Sequence, residues 1–422
     1  MNRKGISRLL KSDYTLSAVS KAATMLIGLL SSVFSTRYLG VVNKGTYAYI
    51  TQLSKNAVII GNLGVYQSYS YNYKKLGSDT LKKYSDICFL QFFVFALLAA
   101  AVCLVSKDFC IIMAALLVPF NMIKMQYENI VLVENIRLRM FLHVFNQVLL
   151  TVCYAVLYFT AESNVLYIVL LTVFIDAFTV VFYLCKLHYL PKIWRVDFRF
   201  LLEVLRFGFI PMLSLLLVTL NYSVDIFFLE HLGTAEELGQ YSFAATIINY
   251  VWMLPDAFKE VLFSKSARKF DRENISLSVK ISVGAMLCCL VGFSVFGKFL
   301  ISLVYGSDFL PAYGVVLVLI IGAFPMAMFK LLGIVLVSQG KRGAHFVSLA
   351  VSAALNVVAN IYAIPIWGMY GAAWASVISY TVCGTVLTVY FCKTYSFGLK
   401  ELLVPSKSDI AKLKKLIKSR IR

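Results

Sequence analysis

Lys21, Lys55, Lys124 and Lys330 stand inside long apolar stretches of the chain, with the acids Asp176, Glu128 and Asp225 at comparable depth. A lysine near the bilayer centre costs roughly 2.5–3.5 kcal/mol on insertion scales, so it faces a protein interior or a wet cavity. Two of the lysines close the same phrase, Pro119-Phe-Asn-Met-Ile-Lys124 and Pro325-Met-Ala-Met-Phe-Lys330, and each phrase runs on to Val-Leu-Val and a basic turn. An excess of lysine over acid at depth describes a cationic lumen. Such a lumen selects an anion, and a mobile ammonium suits phosphate as a point charge. Two blander roles stay open. Lys124 and Glu128 have the i,i+4 spacing of a local pair, and Lys21 can snorkel to the near surface.

Other chemistry is not signalled. No HExxH, Walker-type glycine loop, GxSxG or exposed carboxylate pair is present. The nine cysteines lie within or at the ends of apolar segments, and none forms a CxxC pair. The residues therefore predict neither a catalytic group nor a metal or cofactor, and the chain reads as a non-enzyme whose only coupling chemistry would be a proton or sodium gradient.

Membrane-spanning helices must position these charges. Apolar residues make up 60% of the chain and charged residues 14%, with mean hydropathy +0.79, against about 25% charge in a soluble protein. Twelve segments have the length that a helix needs to cross about 30 Å of hydrocarbon. They fall near 14–37, 45–66, 85–106, 109–133, 140–160, 164–185, 207–230, 238–258, 281–303, 312–338, 344–365 and 369–392. The first has a basic flank (Arg3, Lys4, Arg8, Lys11) but is too long for a signal peptide, so it reads as an uncleaved helix.

The net charge of +19 does not point to nucleic acid, because 32 of the 40 Lys and Arg fall in alternate loops and both termini. The intervening loops are short and acidic at Asp108, Glu162, Glu236, Glu237 and Asp308. By the positive-inside rule both termini are cytoplasmic and the helix count is even. In the tail, Ile410, Leu413, Leu416, Ile417 and Ile421 recur at helical spacing beside lysines, the pattern of a helix lying on an anionic leaflet. The tyrosine run Tyr66–Tyr73 reads as an interfacial aromatic belt.

A second repeat supports the first. Tyr38-Leu-Gly40 followed by Gly45-x-Tyr47 matches His231-Leu-Gly233 followed by Gly239-x-Tyr241. The order of both phrases predicts a 6+6 duplication with parallel repeats. The expected organisation is an N-terminal six-helix lobe over 1–186, a linker over 187–206, a C-terminal lobe over 207–392 and a basic tail over 393–422. Pro119, Pro211, Pro255 and Pro325 fall inside helices, where proline kinks the chain. Amides at depth, including Asn249, Asn356 and Asn360, suit interhelical hydrogen bonds or sugar hydroxyls.

Three stretches resemble Wzx-type polysaccharide flippases of the multidrug/oligosaccharidyl-lipid/polysaccharide (MOP) superfamily. These are Arg37-Tyr-Leu-Gly40 with Gly45-x-Tyr47, Leu205-Arg-Phe-Gly208-Phe-Ile-Pro211 followed by Asp225, and Leu355-Asn356 through Asn360 and Pro365 to Gly368-Met-Tyr-Gly371. The resemblance implies an all-α fold of twelve helices in two six-helix bundles, like that of multidrug (MATE) transporters, switching between inward- and outward-facing states. It implies an undecaprenyl-pyrophosphate-linked oligosaccharide as substrate, moved across the bacterial inner membrane for O-antigen or capsule assembly. A polysaccharide polymerase and a chain-length regulator are the protein partners it implies. Arg37 and Asp225 are the motif-matched sites, Arg37 joining the lysines as a substrate-binding cation. The competing readings are a multidrug or cation antiporter of the same superfamily, which would want an acidic lumen, and a membrane polymerase or glycosyltransferase, which would want larger outer loops.

Overall fold

The computed structural model describes residues 13–268, 270–406 and 409, and describes the backbone alone at 13–19, 260, 261, 264, 265, 267 and 268. The basic flank before residue 13 and the amphipathic tail from Ile410 onward lie outside the described residues. The chain is helical throughout its long elements: α1 (Asp13–Asn62), α2 (Val65–Leu76), α3 (Asp79–Val105), α4 (Phe109–Glu134), α5 (Ile136–Thr160), α6 (Val165–Leu187), α7 (Phe198–Leu232), α8 (Ala235–Arg268), α9 (Arg272–Val304), α10 (Ala312–Ser338), α11 (Arg342–Tyr395) and the short α12 (Leu399–Leu403). Below, the end of the bundle that carries the basic loops is called inner and the other outer.

Among the described residues, nine helices are long and apolar enough to cross a membrane. Two of them are each a pair. A helix of 54 residues such as α11 would run about 80 Å at 1.5 Å per residue, far more than one crossing. α1 breaks at Gly40 (φ 67°, ψ −175°) and α11 at Gly368 (φ 53°, ψ −130°). Gly368 takes a φ that favours glycine, and the carboxylate end of the Glu237 side chain, which is free to move, lies where a Cβ would sit. Nine helices thus supply eleven of the twelve expected segments. The twelfth, 238–258, lies in α8, which spans 34 residues but is diluted by Gln240, Asn249 and Asp256. The molecule is a multi-pass α-helical membrane protein.

The chain forms two compact units, Met1–Thr219 and Leu220–Arg422. Within the first, two of the apolar cores lie at different depths. The outer one gathers Leu39, Ile50, Met113, Leu117, Tyr154 and Ile168, and the inner one gathers Val65, Tyr84, Tyr127, Ile130, Val180 and Tyr183. On α4 and α6 the chain passes from one core to the other across Lys124 and Asp176. Met122 beside them packs with Val58 and Val118 in a third apolar cluster, so the charged pair is set among apolar side chains.

The tyrosine run departs from its expected role as a belt at Tyr69, while Tyr71 is exposed. It forms α2, where Tyr69 is fully buried and donates to Glu134 Oε1, while Ser68 and Asn72 engage the Tyr84 hydroxyl at 2.6 and 2.7 Å. Burial follows because one face of α2 packs on α4 and α3. The segment expected as a linker is pinned down as well. Asp86 accepts from the Tyr189 hydroxyl (2.9 Å) and the Lys192 amide (2.6 Å). The chain is helical again from Phe198, and Phe200 and Val204 enter the inner core. The amides of Phe200 and Arg199 cap onto Asp197 and hold its carboxyl below the usual range.

At Leu63–Gly64 the backbone turns left-handed between α1 and α2, and Gly64 meets Gly208 of α7 backbone to backbone. A Cβ at Gly208 would lie 2.3 Å from the Gly64 carbonyl oxygen, and one at Gly64 would lie 2.0 Å from that of Gly208. Neither carbonyl can swing aside as a side chain could. Gly208→Ala is therefore expected to cost about 1–3 kcal/mol as overpacking and to lower the melting temperature of the detergent-solubilised protein. Gly343→Ala, where nothing lies within 4 Å, is the control expected to leave it unchanged.

In the second unit α10 is the central helix, with Ala323, Met326, Ala327 and Leu331 fully buried. α8 and both halves of α11 pack around it. The chain after α11 folds back on the start of α9. Arg272 reaches Glu401 through Nε and Nη2 and the carbonyls of Tyr395 and Ser396, and Lys280 pairs with Asp409 at 2.7 Å. The Lys280 ammonium and the Ser406 amide hold the Asp409 carboxyl down at about 2.

Candidate functional site

Lys124 sits at mid-length on α4. Its Nζ donates to Asp176 Oδ1 on α6 at 2.6 Å. The pair is lopsided: the Lys124 side chain is 25% exposed, whereas that of Asp176 is 2% exposed. Asp176 Oδ2 is buried without a hydrogen-bond partner among the described residues. The lysine therefore keeps donor capacity on its open side while a sealed acid holds it from behind. This ion pair replaces the local Lys124–Glu128 pair that the i,i+4 spacing allowed. Glu128 instead faces His143 of α5, with Oε1 3.8 Å from Nε2.

Lys55, on the second half of α1, is exposed, and no carboxylate lies within ion-pair distance among the described residues. Its neighbour Ser54 accepts a 3.4 Å hydrogen bond from Asn121, which precedes Lys124 by one turn. Asn121 and Lys124 share a face of α4, so α1 and α4 bring Lys55 and Lys124 to within about one helical turn in depth. The Tyr47 hydroxyl closes the outer side of this layer against Thr172 and Tyr154, within Coulombic reach of Asp176 and Lys124.

Two sequence-selected cations lie elsewhere in this unit. Lys21 is exposed next to Ser20, whose hydroxyl donates to the Met140 carbonyl in the first turns of α5, so Lys21 belongs to the inner third. Arg37 is exposed at the outer end, where adjacent Tyr38 donates to the Glu162 carbonyl. Asp176 lies twelve residues along the chain from Asn164, about 18 Å deeper, so Arg37 is not brought to Lys124.

Lys330 has the repeat-equivalent place on α10 but not an equivalent setting. Its side chain is 9% exposed and donates to Asp256 Oδ2 of α8 at 2.8 Å. The ammonium lies over the rings of Trp252 (4.8 Å) and Tyr222 (5.4 Å). Here the lysine is sealed and the acid is open, since Asp256 is 40% exposed and also faces Lys259 at 3.5 Å. Next to this cluster is a small cavity lined by Tyr222, Tyr241, Asn249, Trp252 and Tyr380. The paired lysines thus expose opposite signs.

Asp225 of α7 is fully buried and ties the second unit together. Oδ2 accepts from the Tyr241 hydroxyl of α8 and Ser376 of α11, and Oδ1 from Asn360 of α11, each at 2.6 Å. One turn away, Asn221 Oδ1 accepts from Ser352 (3.0 Å) and Ser379 (2.7 Å). Every oxygen of this carboxylate is engaged.

Asp256, Trp252 and His143 were not among the residues singled out from sequence. Asp256 follows Pro255 close to a charged helix end and looks like a loop acid. Its pairing with Lys330 across 74 positions has no local signature.

A family model described as "Polysaccharide biosynthesis protein" matches residues 36–313. No curated protein matches at a significant level. Solved structures do. An inward-facing multidrug resistance MATE family transporter of the MOP superfamily is similar at a TM-score of 0.64 and 13% identity, over 88% of this chain and 94% of that one. The lipid II flippase MurJ in an inward closed conformation is similar at 0.64 and 15%, over 91% and 88%. A MOP superfamily transporter from Pyrococcus furiosus, described as having a binding pocket of reversed polarity, is similar at 0.56 and 12%, over 94% and 99%. At these identities the likeness establishes the fold, that of the MOP superfamily.

Proposed function

Because the chain belongs to the family of polysaccharide biosynthesis proteins, we propose that it is a flippase for a lipid-linked oligosaccharide, moving an undecaprenyl-pyrophosphate-linked repeat unit from the inner to the outer leaflet of a bacterial cytoplasmic membrane. Both termini face the cytoplasm in this reading, and the product feeds the assembly of a surface polymer such as O-antigen or capsule. A polymerase and a chain-length regulator would take over beyond the outer leaflet.

One observation carries the proposal: a mid-depth lysine, Lys124, held from behind by a sealed acid and open in front, with the exposed Lys55 within about one turn of it in depth. A lysine already braced by Asp176 presents its charge to a pyrophosphate with little loss of side-chain entropy. Lys330 serves differently. Enclosed by Trp252 and Asp256, it fixes α10 to α8 and leaves the headgroup to the first unit. Asp225 acts as a structural acid that joins α7, α8 and α11.

Translocation by the purified protein in vesicles tests this reading. A polyprenyl pyrophosphate saccharide should cross only when protein is present, and retention of the probe in one leaflet despite inserted protein would overturn it.

A further inference from the structure

The second half of α1 carries three polar side chains at i, i+3 and i+4, namely Gln52, Lys55 and Asn56. Residues at that spacing share one side of a helix, here within about one turn of Lys124 in depth. Lys55 is exposed, whereas Asn56 is 8% exposed. The side-chain carbonyl oxygens of Gln52 and Asn56 are both buried, and neither has a hydrogen-bond partner among the described residues.

Amides within a bilayer ordinarily serve as hydrogen-bonding links between helices. Elsewhere in the first unit they do so. Gln126 of α4 donates to Gln91 of α3 at 2.6 Å, and Asn146 of α5 donates to Thr179 of α6 at 2.8 Å. Each leaves its own oxygen unmatched but is held through its nitrogen. Among the described residues no hydrogen bond of either kind holds Gln52 or Asn56. Buried amides without partners are costly and rare, and these two stand beside a lysine with no carboxylate in ion-pair range. Bracing of the fold accounts for none of the three.

Their chemistry defines the complement they lack. The Lys55 ammonium donates and cannot accept, so it takes an anion. The two amide oxygens accept, so they take hydroxyl or N–H donors. A pyrophosphate diester supplies the charge but no donors, and a polyprenyl tail supplies neither. A sugar bonded directly to a phosphate supplies both within the reach of one helical turn. Gln52 and Asn56 are four residues apart, about 6 Å along the axis, a span that one pyranose ring can bridge.

We infer that Gln52 and Asn56 read the first sugar of the lipid-linked saccharide, accepting from its hydroxyl or acetamido groups while Lys55 holds the adjacent phosphate. The inference rests on the proposed pyrophosphate site at Lys55 and Lys124. It gives the first unit a selectivity that cations alone do not supply. A point charge holds any pyrophosphate lipid alike, whereas a site with hydrogen-bonding groups for a sugar rejects a ligand that leaves them unpaired.

Calorimetric binding to the full-length protein in detergent tests this with three probes: farnesyl pyrophosphate, and the same lipid bearing one glucose or one N-acetylglucosamine. At least one glycosylated probe is expected to bind wild type about tenfold more tightly than the bare one. In Gln52→Met/Asn56→Leu that ratio is expected to fall to near one. Because the amides are unpaired until the ligand arrives, the ligand-free variant is expected to melt at or above the wild-type temperature. Three results would each overturn the sugar contact and leave the pyrophosphate site standing: no gain from either sugar in wild type, a ratio that survives the double substitution, or a variant that melts well below wild type. Failure of all three probes to bind wild type would overturn the pyrophosphate site itself.

Discussion

Asp225→Ala is expected to lower the melting temperature of the purified protein by roughly 10 °C, from a loss of about 3–5 kcal/mol. The substitution removes the acceptor for three donors on α8 and α11 in a site with no water access. Each orphaned buried donor costs about 1–3 kcal/mol. The Tyr241 and Ser376 hydroxyls, 3.2 Å apart, can partly serve each other, which keeps the total below the simple sum. Asp225→Asn retains an acceptor oxygen, and the hydroxyl donors can rotate to suit, so it is expected to lose less than half as much. Thermal unfolding followed by tryptophan fluorescence distinguishes the two, and an Asp225→Ala protein as stable as wild type would remove the bracing role. A stable Asp225→Asn protein that no longer transports would instead make Asp225 part of the transport cycle.

The second large effect concerns Lys124. Its loss is expected to weaken binding of a pyrophosphate lipid roughly ten- to a hundredfold, the worth of a hydrogen bond to a charged group at about 1.5–3 kcal/mol. Lys124→Ala alone is a poor test, because it leaves Asp176 buried and unpaired and would destabilise the fold. Lys124→Met with Asp176→Asn removes both charges at similar volume. That double variant is expected to melt close to wild type and still bind poorly. The matching change in the other unit, Lys330→Met with Asp256→Asn, is expected to leave affinity within a few fold, because Lys330 is already enclosed. Equal losses from both double variants would contradict the assignment of the headgroup to the first unit.

Much of the architecture was legible because membrane physics acts locally. A run of apolar residues reports a crossing by its length. The breaks at Gly40 and Gly368 fall between expected segments for the same reason. Partners within the bilayer were harder to read. Lys124 has an acid four residues away, yet it pairs with Asp176, 52 positions on, because the packing of α4 against α6 decides which side chains meet. The repeat drew attention to both Lys124 and Lys330 but carried no information about exposure. In one unit the acid is sealed and in the other the lysine. Tyr69 looked interfacial because tyrosine favours headgroups, and only the packing of α2 on α4 shows that its ring belongs to a core.

The most direct measurement is translocation in proteoliposomes of a fluorescent polyprenyl-pyrophosphate saccharide, scored by the fraction a membrane-impermeant reagent can reach. Wild type should expose the whole probe pool over time, the Lys124→Met/Asp176→Asn variant should do so at least tenfold more slowly, and a phosphatidylcholine bearing the same fluorophore should stay in its leaflet. Equal rates for wild type and that variant, or equal movement of the phosphatidylcholine, would contradict a pyrophosphate-selective path through Lys124.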